Sequence, residues 1–332
     1  MYFYMIWKND WLALRELWLS SYEKIGWVLV SPDLRSTARW SVIKHGYVTT
    51  LDQIEVPSLI GTHSNDFGVW LKKNRQVRRF KLVTLNHTDL EIKHQGMEIV
   101  PLEQEYHASM QVWVVTYYQP IDIFEQIDYA KPSNGMEIGM MPSKLAMTMT
   151  NIALAQLWDG VHTIYDPFVW FGTTQFVAHY LWHHSIWSDT NASLIKPNIP
   201  WLKSQSRYNP ELHFVSYKHD ATQPITKWFA LAADAIVSEW WLGPIVSSRL
   251  MPKVASHQLK TVWNVYTEFV KRVYESYEKI VVVITIPVYH FRDYTVDEIT
   301  PMIYETPFDR SIGWMYRRPW KIMWRQVMIG VK

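Results

Sequence analysis

Four carboxylates stand at comparable places in the second half of this chain, each at the end of a short apolar or β-branched run and just before a turn. Asp166 opens the stretch Asp166-Pro167-Phe168-Val169-Trp170-Phe171-Gly172-Thr173-Thr174, Asp189 closes Ser188-Asp189, Asp220 opens Asp220-Ala221-Thr222, and Glu239 follows Ser238. In an open α/β sheet, ligands bind beyond the carboxyl ends of the strands, so acids at successive strand ends converge on one crevice. A loop that passes through Gly172 and Thr173 straight into a helix lets a ligand approach the backbone and the helix N-terminus. Asp189 follows that loop at about the 20-residue interval at which an acid accepts from ribose hydroxyls. Asp220, with Ala221 beside it, is placed to accept from an adenine amino group. Glu239, between Ser238 and Trp241, can accept from an exocyclic amine while Trp241 stacks on a splayed base. Each acid alone reads equally well as a solvated strand end, and Trp241 as core. Four in register point to a nucleoside-shaped ligand.

The elements needed to hold these residues are legible in the apolar pattern. KLAMTMTNIALAQLW (144–158) has helical spacing, and from Thr163 onward short strands alternate with helices. These are TIYDPF, TTQFVAHYL, SIWSDT, HFVSYKHD, AIVSE, a long helix over about 253–279, and IVVVITIP. This alternation predicts a mostly parallel, doubly wound sheet, and WMYRRPWKIMWRQVMIGV predicts an antiparallel pair closing it. The first third differs. MYFYMI and WVLVSP read as strands, WLALRELWL as an amphipathic helix, and residues 61–83 as strand, basic helix and strand. IKHQGMEIVPLE and SMQVWVVTYYQPI read as further strands. The polar segment 122–139, with Pro132, Asn134 and Gly135, reads as a linker. The expected organisation is a smaller α+β domain over 1–125 and an α/β domain over 126–332.

Composition narrows the classes. The 332 residues suffice for two ordinary domains. The net charge of +2 does not by itself announce a nucleic-acid binder, but Lys72, Lys73, Arg75 and Arg78 cluster locally. That run is either a solvated helix face or an RNA contact. The absence of cysteine excludes disulfides and thiolate metal sites. His183-His184 are neighbours that point apart with no partner spacing, so no metal is expected. The opening MYFYMIWKNDW lacks the basic segment and long apolar core of a secretory leader, and no apolar run has the length of a membrane span. A cytoplasmic protein without a membrane partner is the expectation. A dinucleotide-dependent dehydrogenase is disfavoured, because no G-x-G-x-x-G is present.

The acidic strand ends, read together as DPF…GTT, then SD, then DAT, resemble the class I S-adenosylmethionine-dependent RNA methyltransferases related to the tRNA guanosine-10 N2-methyltransferases. The segment IGMMPSKLA (138–146) is similar to the one that precedes the cofactor loop in that family. The resemblance extends to YRRPWKIMWRQVMI (316–329), and more loosely to an N-terminal region of THUMP type. It implies a Rossmann-like class I methyltransferase domain with a smaller N-terminal α+β RNA-binding domain, and S-adenosyl-L-methionine as cofactor. Asp166, Phe168, Gly172 and Thr173 would hold the methionine moiety, with Trp170 in the same cofactor-binding loop, Asp189 would bind the ribose, and Asp220 with Ala221 the adenine. Pro142 and Lys144 would close over the methionine end. Ser238, Glu239 and Trp241 would receive the target amine, and Lys72, Lys73, Arg75 and Arg78 the RNA. Methyl transfer to guanine N2 in tRNA is the leading expectation. An amino-methyltransferase on DNA or rRNA, or a non-catalytic RNA-binding protein that keeps the fold, are the alternatives. The family commonly has Asp-Pro-Pro-Tyr at the fourth strand where this chain has Ser-Glu-Trp-Trp-Leu-Gly-Pro, which opens the question of the target atom.

One compositional fact stands apart. The chain has 19 tryptophans and 12 glycines, about half the usual glycine share of roughly 7%. Trp170, Trp187, Trp320 and Trp324 stand where the resemblance implies glycine, Trp240 replaces a turn residue, and Trp182 occupies a natural helix C-cap position. The expectation is that many of these codons are UGA, read as glycine in the source organism.

Overall fold

A computed structural model of the protein describes residues 1–6, 10–25, 27–34, 42–50, 82–84, 111–118, 122–133, 140–191, 193, 195–205, 208–239, 252–290, 295–296, 308–316 and 323–332. They belong to two compact units, Met1–Pro120 and Ile121–Lys332.

The first unit is a mixed α+β sheet. Strands β1 (Tyr2–Ile6), β2 (Glu23–Ile25), β3 (Val28–Ser31), β4 (Val42–Thr50), β5 (Leu82–Thr84) and β6 (Gln111–Tyr118) lie in the order β2-β3-β1-β4-β6-β5. All neighbours are antiparallel except the parallel pair β5/β6. Helix α1 (Asp10–Leu17) carries Ala13 and Leu17 one turn apart, and these pack with Tyr4, Ile6, Leu29 and Val42. The segment IKHQGMEIVPLE, the helix expected before β5, and Lys72, Lys73, Arg75 and Arg78 lie outside the described residues.

The second unit contains α2 (Asp122–Glu125), a π-helical turn at Gln126–Ala130, and helices α3 (Ser143–Leu154), α4 (Thr173–Tyr180), α5 (Asn198–Lys203), α6 (Trp228–Leu231) and α7 (Pro252–Ser276). Its strands are β7 (Thr163–Asp166), β8 (His184–Asp189), β9 (Phe214–Lys218), β10 (Ala235–Ser238), β11 (Val281–His290), β12 (Thr295–Val296), β13 (Asp309–Tyr316) and β14 (Met323–Val331). The sheet order is β13-β14-β11-β10-β7-β8-β9, with β12 paired to β11. Strands β7 to β11 run parallel, and β14 is antiparallel to both β11 and β13. The chain therefore steps outward from β7 through β8 to β9, returns to β10 on the other side of β7, and continues to β11. That reversal makes the carboxyl ends of β7 and β10 a topological switch point, where a Rossmann-like sheet opens a crevice. The hairpin β13/β14 closes the sheet as the last segment of sequence predicts.

Every residue of β10 is buried, as in a parallel strand covered on both faces. Helix α7 presents Ala255, Leu259, Val262, Tyr266, Phe269 and Val273 at helical spacing to Tyr165, Ile236, Val282 and Ile284. The segment expected to be a linker is instead structured over its first part. Phe124 and Ile127 are buried, and the polar Asp128 and Lys131 are buried with them. Polarity there is spent on internal bonds rather than on water. A domain boundary at 125/126 would cut between α2 and the π-helical turn that continues it, whereas the boundary between units falls at 120/121.

Candidate functional site

The loop from β7 to α4 is held from below. Asp166 is fully buried, and its Oδ1 accepts from Ser238 Oγ (2.6 Å) and from the Phe168 N–H (3.0 Å). Burial pushes its carboxyl up to about 6, against the pull of these hydrogen bonds. Asp166 and Ser238 thus join the ends of β7 and β10 at the switch point. The loop then turns: Gly172 N–H donates to Val169 O (2.7 Å), with Gly172 at φ 80°. A Cβ at Gly172 would collide with the Ile195 side chain, so backbone conformation and close approach both require glycine. Thr173 begins α4, and its Oγ1 accepts from Lys131 Nζ at 3.0 Å.

Asp189, at the end of β8, is tied to the same loop. Its Oδ2 accepts from the Trp170 N–H (3.1 Å) and its Oδ1 from the Asn191 N–H (2.8 Å). Val169 N–H donates to Ser188 O (3.1 Å), and His219 N–H to Asp189 O (3.1 Å), so successive strand ends are laced together. Asp220 is exposed beyond β9 and accepts from Thr222 N–H (2.9 Å) and Thr222 Oγ1 (2.8 Å), while Ala221 beside it is buried in the α7 core. The three strands are adjacent and parallel, so Asp166, Asp189 and Asp220 stand on one edge of the sheet. A carboxylate offers about four lone-pair sites. The hydrogen bonds named for Asp189 and Asp220 leave acceptor capacity for a ligand.

Other expected residues have different surroundings. The Phe168 ring lies edge-on against Phe269 (5.6 Å between centroids), so the loop uses its N–H while the ring joins the α7 core. Trp170 is half-buried in the left-handed region, at φ 44°, with its ring against Phe171 (4.8 Å). Pro142 precedes α3 and its carbonyl accepts from Ala146 N–H (3.0 Å). The Lys144 ammonium sits 5.8 Å from the Phe124 ring centre. Glu239 is buried in an ion pair with Arg325 of β14. Its carboxylate is held by a guanidinium, a bond that positions it. Trp240, Trp241 and Trp320 lie outside the described residues. Trp187 is 1% exposed among Val169, Ile195 and Phe214, and its Nε1 has no hydrogen-bond partner among the described residues. Its strand backbone makes no special demand for glycine, and nor does that of Trp324, whose ring stacks on His290 (3.8 Å).

Four residues escape sequence reasoning. Asp128 Oδ1 accepts from Ser143 N–H (2.8 Å), the first residue of α3, while Lys131 reaches the first residue of α4. One short segment therefore fastens two helix N-termini. Burial lowers the Lys131 ammonium to about 7, and Asp128 opposes the shift. Asn198 bonds Ser133 O (2.7 Å) and Phe171 O (3.0 Å) through its amide, bracing the loop. Arg325 is the fourth. Nothing local in Ala130-Lys131-Pro132 marks its lysine as buried, and only the closing hairpin brings Arg325 to Glu239. Taken together, the edge offers acceptors for hydroxyl and amino groups, a helix N-terminus with a buried cation for an anionic group, and a braced glycine turn between them.

No protein-family model matches the chain, and no curated protein matches it. Among solved structures, an RNA methyltransferase described as putative, from Pyrococcus horikoshii, is 12% identical over 60% of this chain and 88% of its own, with a TM-score of 0.37. The rRNA methyltransferase aviRa from Streptomyces viridochromogenes is 12% identical over 63% and 93%, with a TM-score of 0.41. The magnesium protoporphyrin IX methyltransferase from Synechocystis, with bound SAM, is 8% identical over 64% and 95%, with a TM-score of 0.38. Likenesses of this size carry no argument about activity. The strand order and the edge carboxylates stand on their own geometry.

Proposed function

We propose that the carboxyl edge of the second unit binds S-adenosyl-L-methionine and that the chain transfers a methyl group to an exocyclic amine of a base in RNA, with guanine N2 of tRNA as the leading target. The observation that carries the cofactor reading is the placing of Asp166, Asp189 and Asp220 at the ends of three adjacent parallel strands, beside a glycine turn that opens α4. The residues present fit such a ligand. Asp189 keeps acceptor capacity for ribose hydroxyls, and Asp220 for an adenine amine. Lys131, bonded to Thr173 at the start of α4, suits a carboxylate.

The sulfonium, when bound, supplies an already activated methyl group, so no covalent nucleophile is needed from the chain. The protein's work is alignment and exclusion of water. Asp166 and Ser238 fix the loop, and Asp189 fixes the ribose. Glu239, oriented by Arg325, accepts a hydrogen bond from the incoming amine, with Trp241 as the surface for its base. The RNA half of the proposal rests on the sequence resemblance, with Lys72, Lys73, Arg75 and Arg78 as its contacts. Pro142 and Lys144 would cover the methionine end. No helix among the described residues is long and apolar enough to cross a membrane.

A second reading, a binding protein that keeps the fold without catalysis, is favoured by one observation, the bulky Trp170 inside the loop. Titration calorimetry with S-adenosyl-L-methionine separates the two. Micromolar binding that Asp189→Ala weakens at least 100-fold supports the enzyme, and no binding by either the folded chain or its Trp170→Gly variant removes it. Mass spectrometry of tRNA nucleosides from cells with and without the gene then tests the target. A loss of N2-methylguanosine is expected, and an unchanged nucleoside profile sinks the tRNA assignment.

A further inference from the structure

Among the described residues, three that are not glycine have positive φ, and all three are tryptophan: Trp18 at 48°, Trp170 at 44° and Trp182 at 66°. Tryptophan makes up 19 of 332 residues, so this coincidence needs a cause. The left-handed region is uncommon for any residue with a Cβ, and where it occurs Asn and Asp are favoured, not bulky aromatics.

The local hydrogen bonds show what each position does. At the end of α4, Trp182 N–H donates to His179 O and His183 N–H to Ala178 O, both at 3.0 Å. With Leu181 as the C-cap, this is the paired 5→2 and 6→1 pattern of a Schellman motif, whose left-handed C′ residue is usually glycine. At the end of α1, Trp18 N–H donates to Leu14 O at 3.0 Å, the single-bond form of the same stop. Trp170 forms the turn between Val169 and Gly172, and its N–H binds Asp189. The rings do not repay the conformation by burial, since Trp18 and Trp182 are 51% and 53% exposed. The chain is also poor in the residue these turns call for.

We infer that positions 18, 170 and 182 are glycine positions of this fold, and that the active protein carries glycine there, encoded by UGA codons that its source reads as glycine. At position 170 the inference rests also on the cofactor reading above: a glycine would free the mouth of the loop for the ligand while keeping the N–H that binds Asp189. Trp187 and Trp324 sit in regular strands and are not part of the backbone argument.

Three experiments test this. The first is to read the coding DNA, where UGA is expected at the three positions and UGG overturns the inference. The second compares full-length chains carrying Trp, Gly or Ala at 18 and 182 by thermal unfolding. Glycine is expected to raise the midpoint of the unit concerned by at least about 2 °C, and alanine to fall short of it, because alanine also resists the left-handed region. Equal gains from alanine would assign the effect to removal of an exposed indole and overturn the inference. Trp170→Gly is expected to tighten S-adenosyl-L-methionine binding at least tenfold in calorimetry. UGA codons and glycine-specific stabilisation at 18 and 182, with no binding by the Trp170→Gly chain, would sink the cofactor reading and leave the glycine inference standing.

Discussion

The two ends of the same parallel strands in the second unit are built from opposite chemistries. The carboxyl ends carry Asp166, Asp189, Ser238 and Glu239, whereas the amino ends carry His162, His183, His184 and His213 with Asp234. At the amino edge the imidazoles are fasteners. His183 Nδ1 accepts from His162 N–H (3.0 Å) and His184 Nδ1 from His213 N–H (2.9 Å). His162 Nε2 donates to Trp158 O (2.7 Å), and Asp234 Oδ2 accepts from Thr163 N–H (2.8 Å). A ring nitrogen has one lone pair, so the accepting nitrogens of His183 and His184 are each used up by one backbone bond. The carboxyl edge fastens its loops with acids that have acceptor sites to spare. The same structural work is done at both ends, by imidazoles and one carboxylate at the amino edge and by carboxylates at the carboxyl edge, and the carboxylates gather at the end where a doubly wound sheet opens.

The largest effect that would sharpen this contrast comes from the buried pair at the carboxyl edge. Arg325→Leu leaves Glu239 buried without its guanidinium, and is expected to cost about 3–5 kcal/mol of stability. Replacing both partners by leucine should recover most of that, because the stranded charge goes too. Urea unfolding of the two variants measures this. If the single and double variants are equally unstable, packing rather than charge holds the hairpin to β10.

Next comes Lys131. Its folded pKa, about 7, lies below the unfolded value of 10.5, so between these values the unfolded chain holds the extra proton. Stability therefore rises with pH through that window, by up to about 1.4 kcal/mol per pH unit, and Lys131→Met should remove that slope. If Lys131 also meets a ligand carboxylate, the affinity for S-adenosyl-L-methionine should fall as pH rises through about 7. Loss of the stability slope in the variant with no change in the pH dependence of binding would confine Lys131 to structure.

A smaller effect is expected at the amino edge. Burial, helped by the neighbouring His162 and His184, lowers His183 from 6.5 to about 4. The neutral ring is the one that accepts the His162 N–H. Its contribution is present above pH 6.5 and is lost as pH falls towards 4. His183→Gln should flatten acid unfolding by under about 1 kcal/mol per pH unit, with binding at pH 8 untouched. Weakened binding at pH 8 would break the division of labour between the edges.

How much of this was legible depended on whether the signal was local. The strands ending in Asp166, Asp189, Lys218 and Ser238, and the helix with Ala255, Leu259, Val262 and Tyr266, follow from period and turn chemistry. Trp182 at a helix stop was legible too, since the cap demands a left-handed residue whatever surrounds it. The segment Asp122–Lys131 was not, because burial of Asp128 and Lys131 is set by two helix N-termini distant in sequence. Glu239 could be placed at a strand end, but its pairing with Arg325, 86 positions away, exists only after β14 has returned antiparallel to β11. The backbone demand at Trp18 was missed for the opposite reason: the helix pattern ran on through WLALRELWL and hid the stop inside it.

The smallest expected effect on the fold is also the most direct probe of the unspent capacity. Asp220 is exposed, and its Oδ1 serves Thr222 in a side-chain turn. Asparagine keeps an oxygen for that turn, so Asp220→Asn should change stability by no more than about 0.5 kcal/mol. It trades one carboxylate oxygen for an amide nitrogen that donates, which opposes another donor such as an adenine amine. Binding of S-adenosyl-L-methionine should therefore weaken about tenfold, or roughly 1.4 kcal/mol, in a chain whose unfolding is unaltered. Equal affinity in the two chains would mean that Asp220 only closes its own turn, and that the end of β9 belongs with the histidine edge as a fastening, not with Asp189 as a binding residue.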